Sequence, residues 1–266
     1  MKKLFYTFLH LLFLTSFSFA ETENIFIPCK TKECNPKWDA IYTTWYKGDK
    51  NKPAIIWYGG GLSTGTSLDY QPINLLRDKF DIIMVASPIP IVSNASTKGY
   101  PRNAYNKYNI YRMQQAVKYY KKLLNKPIWL GGTSSGGPRM IGAISGNKKN
   151  RPSDDYAGLI FASAYLAKVH QGSPTMNIAT SKIKYEMNLP ILIIQHARDL
   201  KTAQHPRLQK RFQKYLAKRN ANKTELMLLT EGDPGTTNFD GGHHFFSSNK
   251  EEVARVVSKF IMDNTK

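Results

Sequence analysis

The sequence predicts an α/β fold: a mostly parallel central sheet flanked by helices in a single domain. Short runs rich in β-branched residues alternate with longer amphipathic stretches, a pattern typical of parallel strands connected by crossover helices. Several of these runs are almost continuous in Ile, Leu and Val, as expected for strands buried on both faces. A length of 266 residues with 41% hydrophobic residues is enough for one large core and excludes a disordered chain.

The predicted elements follow one another along the whole chain. Strands are predicted at residues 41–46, 54–58, 81–86, 127–130, 157–162, 191–195 and 224–229. A helix is predicted over residues 103–124, because its apolar side chains recur at helical spacing on one face. The same spacing predicts a second helix around residues 208–216 and a third around 253–261.

Two connections are longer than α/β units usually need. Residues 87–102 and 163–188 both follow strand ends, where open α/β sheets bind their ligands. They are therefore candidate substrate-binding loops or small lids, and a plain surface excursion is an equal alternative for each.

The first twenty residues have the order of a secretory signal. Lys2 and Lys3 precede an apolar run, and Ser18 and Ala20 are the small residues that a signal peptidase recognises just before its cleavage site. The run is shorter than the roughly 20 apolar residues of a spanning helix. We expect residues 1–20 to be removed as a signal peptide, residues 21–266 to form the domain, and the product to be exported, either periplasmic or secreted.

The chain has two cysteines, Cys29 and Cys34. An oxidising compartment would join them, so export predicts a structural disulfide. A redox or metal-binding pair would need closer spacing or further ligands, and the neighbouring sequence provides neither.

The sharpest local pattern is Gly-Thr-Ser-Ser-Gly, with Gly132 and Gly136 on either side of Ser134. An apolar strand precedes it and a helical pattern follows. A strand that turns abruptly into a helix strains the backbone of the middle residue, and side chains two positions away would collide. The glycines remove those side chains, so Ser134 can present its hydroxyl above the sheet. The amide of Ser135, at the start of the helix, would face an oxyanion formed there.

Three other segments complete a constellation around Ser134. The strand at residues 54–58 ends in three glycines, and the amide of Gly60 is a candidate second oxyanion donor. Asp199 follows the strand at residues 191–195, and His243 precedes the C-terminal helix. Nucleophile, acid and base thus occur in that order, each after a strand.

On these motifs the sequence resembles the α/β-hydrolase superfamily, from about residue 41 to the C-terminal helix. The resemblance implies that Ser134 is the nucleophile, Asp199 the acid and His243 the base, with no metal or organic cofactor. The chain departs from the family pattern at Tyr58, where a histidine often precedes the two glycines, and at His196, where a glycine is usual.

Two assignments have alternatives. His243 is preferred as the base because the family pattern Gly-His-x-Phe then ends at Phe245, whereas the other phase would select His244. Asp233 and Asp240 are alternative acids, but they lie in the loop of the histidine itself, so Asp199 is preferred.

The charge is strongly positive, with 38 Lys and Arg against 19 Asp and Glu. Cations crowd two of the predicted helices and could give weak association with an anionic membrane or envelope surface, although solvated helix faces explain them as well. No nucleic-acid motif is visible, so nucleic acid is not expected as a partner. We expect an exported serine esterase acting on a small-molecule or lipid-like ester. The alternatives are a peptidase or thioesterase, or a non-catalytic protein of this fold that binds an anionic ligand.

Overall fold

The computed structural model describes residues 21–28, 40–60, 68–69, 71–86, 107–166, 168–170, 173–175, 183–199, 205–220, 223–232 and 242–265. The central sheet consists of β1 (Thr22–Pro28), β2 (Ala40–Tyr46), β3 (Ala54–Tyr58), β4 (Asp81–Val85), β5 (Ile128–Thr133), β6 (Gly158–Ala162), β7 (Ile191–His196) and β8 (Thr224–Leu229). The helices are α1 (Lys107–Leu124), α2 (Gly136–Ala143), α3 (Pro206–Ala217) and α4 (Lys250–Asn264). Short 3₁₀ helices span Asn74–Leu76, Pro152–Asp155 and Gly242–His244, and two-stranded pairs join Gly146–Asn147 with Ile183–Lys184 and Lys168–His170 with Ser173–Thr175.

The eight strands are ordered β1-β2-β4-β3-β5-β6-β7-β8. From β4 to β8 all neighbours pair in parallel, while β2 runs antiparallel to both β1 and β4. This arrangement confirms the predicted fold class, a mostly parallel sheet flanked by helices in a single domain. The carboxyl ends of β3, β5 and β7 lie at one edge of the sheet, which is where the candidate site residues follow.

Alternation along the strands builds a separate core on each face of the sheet. In β5, Ile128 and Leu130 pack with α1, α2 and α3, while Trp129 points to the other face and packs with α4. All of β3, β4, β5, β6 and β7 is buried on both faces. The rigid layer between the helices therefore holds the strand ends, and the loops that leave them, in fixed positions.

The seven predicted strands are present, with ends that differ by at most three residues from those observed. The structure adds β1, which pairs with all of β2 from Thr22↔Tyr46 to Pro28↔Ala40. Its side chains are mostly exposed, so it lacks the apolar run that predicted the other strands. Within the part of the chain that the structure describes, α1 begins at Lys107, inside the predicted range of 103–124.

Several sequence-based expectations fall outside the described residues. These are the signal peptide at residues 1–20, Cys29 and Cys34, the loop at residues 87–102, and the acids Asp233 and Asp240. None of the helices among the described residues is both long and apolar enough to cross a bilayer.

Candidate active site

Ser134 occupies the sharp turn between β5 and α2, as the motif predicted. Its backbone is left-handed, with φ of +51°, which is unfavourable for an L-amino acid. The surrounding backbone holds this conformation, because the Ser134 carbonyl accepts hydrogen bonds from the amides of Gly137 (3.0 Å) and Tyr165 (2.8 Å). Ser134 is half-buried, so part of the residue remains accessible to solvent at the end of the strand.

The two glycines of the motif are required by close backbone contacts. A Cβ at Gly132 would lie 2.8 Å from the Gly136 carbonyl, and one at Gly136 would lie 1.8 Å from the Tyr58 carbonyl oxygen. The first contact is the collision that the sequence predicted within the turn. The second brings the first turn of α2 directly against the end of β3.

The glycine turn after β3 lies beside Ser134. A Cβ at Gly60 would be 2.8 Å from the Ser134 Cβ and 3.4 Å from Cε1 of Phe245. The turn after β3, the nucleophile elbow and the loop before α4 therefore meet at Gly60. This position fits the predicted oxyanion donor, and Ser135, the residue that precedes α2, lies at the helix start as expected.

Asp199 and a histidine form a buried pair after β7. His244 Nδ1 donates a hydrogen bond to Asp199 Oδ2 at 2.8 Å, and both residues are only 3% exposed. Gln195 Nε2 donates to the same carboxylate oxygen at 3.0 Å. A neutral His244 that donates from Nδ1 has its lone pair on Nε2, which is the tautomer that a general base needs.

The histidine on Asp199 is therefore His244, and the sequence-based preference for His243 is not what the structure places there. The half-buried ring of His243 stacks instead on His196, with ring centroids 3.9 Å apart and an interplanar angle of 15°. His196 is fixed in turn, because its Nδ1 accepts from the Arg198 amide (3.1 Å) and its Nε2 therefore donates to the Glu231 carbonyl (3.0 Å).

The reason for this difference is the phenylalanine that anchors the loop. The sequence pattern favours Phe245 as the anchor, but Phe246 is the fully buried phenylalanine and packs in the core on the α4 side of the sheet. Phe245 is half-buried and contacts the position of Gly60. His244 and Phe246 thus keep the His-x-Phe spacing of the pattern, with His243 in the place of its glycine.

Two side chains at the site were not singled out in the sequence. Gln195, at the end of β7, is fully buried and contacts Asp199; a polar residue in an otherwise apolar strand was the available signal. Arg139, on α2, donates from Nη1 to the Gly59 carbonyl at 3.1 Å. No pattern in the sequence distinguished Arg139 from other surface cations.

Among the described residues, no group of three or more His, Cys, Asp or Glu side chains is arranged to hold a metal ion. The described part of the second long connection, residues 163–188, includes two short strands, Lys168–His170 and Ser173–Thr175, that pair with each other.

No family model and no curated protein matches the sequence. Solved structures do match across nearly the whole chain. An esterase of Pyrococcus furiosus aligns with a TM-score of 0.61 at 14% identity, covering 91% of this chain and 92% of that one. Dienelactone hydrolase of Anabaena variabilis aligns with a TM-score of 0.59 at 11% identity, covering 92% and 99%.

A peptidase is also among the similar structures. The acylaminoacyl peptidase of Pyrococcus horikoshii aligns with a TM-score of 0.63 at 13% identity, covering 97% of this chain but 44% of the peptidase. A serine hydrolase of Xanthomonas campestris, described as having an α/β fold without a lid, aligns with a TM-score of 0.55 at 10% identity. Together with the strand order and the serine at the turn after β5, these similarities establish that the chain has the α/β-hydrolase fold.

Proposed function

We propose that the protein is an exported serine hydrolase that transfers an acyl group to water, with a carboxylic ester as its substrate. One observation carries the proposal. A serine held in a left-handed turn lies against Gly60, and the loop that contacts the same glycine carries a histidine already paired with a buried aspartate. These are the parts that activate a serine for acyl transfer.

The proposed mechanism uses only side chains and amides of this chain. Nε2 of His244 takes the proton from the Ser134 hydroxyl as its oxygen bonds to the carbonyl carbon of the ester. The amides of Gly60 and Ser135 stabilise the resulting oxyanion. Collapse of this intermediate expels the alcohol, which receives the proton from His244, and leaves an acyl-enzyme. Water, activated in the same way by His244, then releases the acid and restores Ser134.

Fluorophosphonate labelling of the protein without residues 1–20 tests the proposal directly. Wild type should label, and both Ser134→Ala and His244→Ala should lose labelling. His243→Ala should still label, because that ring contacts His196 rather than Asp199. A folded wild type that never labels would refute the proposal, and labelling lost only in His243→Ala would reverse the choice of base. Hydrolysis of p-nitrophenyl esters, compared with thioesters and blocked peptide amides, assigns the substrate class.

A second candidate function, binding to an anionic membrane, rests on the surface of α3. Five exposed cations recur at helical spacing on one face of α3 and its C-terminal cap, here called the basic face of α3: Arg207, Lys210, Arg211, Lys214 and Lys218. The helix contains no acidic residue, and within the described ranges none of the five forms an ion pair with a carboxylate. Such a face attracts anionic lipid without inserting into it.

Vesicle binding tests this second function. Wild type should sediment with vesicles that contain phosphatidylglycerol but not with neutral ones, and added salt should release it. Replacing Lys210, Lys214 and Lys218 with Gln should weaken binding more than the charge-matched replacement of Lys118, Lys121 and Lys122 on α1. Equal effects of the two triple variants would mean that net charge alone is responsible, and this surface would then not be a binding site.

A further inference from the structure

The turn after β3 is made of glycines, so it has no side chains that could fix its backbone conformation. Gly59, Gly60 and the next residue, Gly61, are consecutive in sequence, and glycine loses more backbone freedom on folding than any other residue. An oxyanion donor in such a segment stabilises charge well only if its direction is fixed before the reaction. Some neighbouring group must therefore supply the order.

Tyr58, the residue before the glycines, does not supply it. Its side chain is almost completely buried, and its hydroxyl donates to the Met113 carbonyl (3.4 Å) in the layer of α1. Burial raises the pKa of this phenol above its ordinary value, so it remains neutral. The side chain is committed to the core and does not reach the turn that follows it.

Arg139 does reach the turn. It lies on α2 three residues after Gly136, and its half-buried guanidinium donates to the carbonyl oxygen of Gly59 at 3.1 Å. Because the first turn of α2 already lies against the end of β3, the arginine is attached to the same rigid unit as the nucleophile. A planar guanidinium on a helix is a stiffer anchor than a lysine ammonium.

The geometry of the peptide bond links this contact to catalysis. The carbonyl of Gly59 and the N–H of Gly60 belong to one peptide unit, and this unit is trans, since the described residues contain no cis peptide. In a trans peptide the C=O and the N–H point in opposite directions within one plane. A guanidinium that holds the Gly59 carbonyl therefore also sets the direction of the Gly60 N–H, next to Ser134.

We propose that Arg139 is a positioning residue that orients the Gly60 amide as an oxyanion donor through its hydrogen bond to the Gly59 carbonyl. The inference rests on the proposed hydrolase function. In this inference α2 has two roles. Its N-terminus follows the nucleophile and provides the Ser135 amide, and its Arg139 holds the peptide that provides the Gly60 amide. In this proposal Arg139 acts through the Gly59–Gly60 peptide and not on the substrate.

Kinetics of Arg139→Met and Arg139→Lys test the proposal. With a p-nitrophenyl ester, Arg139→Met should lower kcat roughly 10- to 100-fold with KM almost unchanged, since the lost interaction is made in the transition state. Inhibition by a trifluoromethyl ketone, whose adduct with Ser134 carries an oxyanion, should weaken by the same factor. Arg139→Lys should lose less, because an ammonium can still donate to the carbonyl.

Gln114→Met is the matched control, since the Gln114 amide donates to the carbonyls of Ala143 (3.2 Å) and Ser145 (3.3 Å) at the other end of α2. An equal loss of kcat in this variant would show that α2 is merely destabilised, and wild-type kcat in Arg139→Met would also overturn the proposal.

Hydrogen exchange separates failure of this inference from failure of the proposed function. In Arg139→Met the backbone amides of Gly59 and Gly60 should exchange faster than in wild type, whereas Gln114→Met should leave them unchanged. This readout requires no activity. Unchanged exchange in Arg139→Met would refute the positioning role even in an active enzyme. Absence of labelling in the wild type would refute the hydrolase and with it the oxyanion role of Gly60, whereas faster exchange in Arg139→Met would still show that Arg139 orders this turn.

Discussion

At the scale of single residues, the acid of the pair is the most sensitive point of the site. Asp199 Oδ2 accepts from both His244 Nδ1 and Gln195 Nε2, so two donors converge on one buried oxygen. In Asp199→Asn the charge that stabilises a protonated His244 is lost while the shape is kept. We expect kcat for ester hydrolysis to fall by about 10³- to 10⁴-fold, as for neutral replacements in other triads.

Asp81→Asn provides the control for Asp199→Asn. Asp81 is also buried, and its carboxylate accepts from Trp45 Nε1 (3.0 Å) and the Gly48 amide (2.9 Å) and pairs with Lys126. It lies at the start of β4, away from the strand ends that carry the site. This variant should lower the thermal midpoint but leave kcat of the folded protein unchanged. A similar loss of kcat in both variants would contradict a specific role for Asp199.

Some residues of the candidate site could be predicted from the sequence and others could not. The positions of Ser134, Asp199 and Gly60 after strand ends could be predicted, because the strand pattern and the steric limits at the turn fix them. The choice between His243 and His244 could not, because both are followed two positions later by residues that pack: Phe245 against Gly60 and Phe246 into the core. Which of the two phenylalanine rings is buried depends on tertiary contacts of the loop, and no local sequence pattern encodes those contacts.

At the scale of elements, β1 shows how an edge strand is held by few side chains. Ile27 is 3% exposed and packs in the core on the α1 side, whereas Phe26, its neighbour on the opposite face of the strand, is 61% exposed. Ile27→Ala should lower the free energy of unfolding by about 2 kcal/mol or more, because it leaves a cavity. Urea denaturation measures this difference.

Phe26→Ala is the matched comparison on the same strand. Its ring contacts Tyr42, with centroids 5.0 Å apart, but remains in solvent, so its loss should cost less than about 1 kcal/mol. Equal costs for the two variants would mean that β1 is held by its backbone ladder with β2 and not by the core.

Elements buried on both faces were predictable from the sequence, and the exposed edge was not. The continuous apolar runs of β3 to β7 identify them as strands whatever their neighbours. β1 reads Thr-Glu-Asn-Ile-Phe-Ile-Pro, in which polar residues occupy the first half. Its strand conformation comes from pairing with β2, a long-range contact that lies outside any sequence window.

At the scale of the whole molecule, the core on the α1 side of the sheet contains phenols that burial keeps neutral. Burial raises the pKa of Tyr120 to about 12, and a hydrogen bond with Thr43 opposes this in part. The pKa of Tyr156 is likewise raised by burial. In the unfolded chain these phenols ionise near pH 10. Between pH 10 and 12 the unfolded state therefore releases protons that the folded state keeps, and stability falls as the pH rises.

We therefore expect the thermal midpoint to fall between pH 10 and pH 12, and the midpoint of the Tyr120→Phe variant to fall less over the same interval. Its midpoint at pH 8 should already be lower, because the bond to Thr43 is lost. Differential scanning calorimetry of both proteins at several pH values checks this. Parallel pH dependences would contradict the assignment to Tyr120.

The left-handed backbone at Ser134 means that the folded protein carries a steric cost at one residue. Glycine adopts φ of +51° without penalty, whereas alanine retains the steric cost that serine carries. Ser134→Gly and Ser134→Ala both abolish the nucleophile, yet the glycine variant should unfold at higher temperature, by about 1 kcal/mol of stability. In the proposed hydrolase this steric cost accompanies the nucleophile, because the glycine that would remove the cost would also remove the hydroxyl.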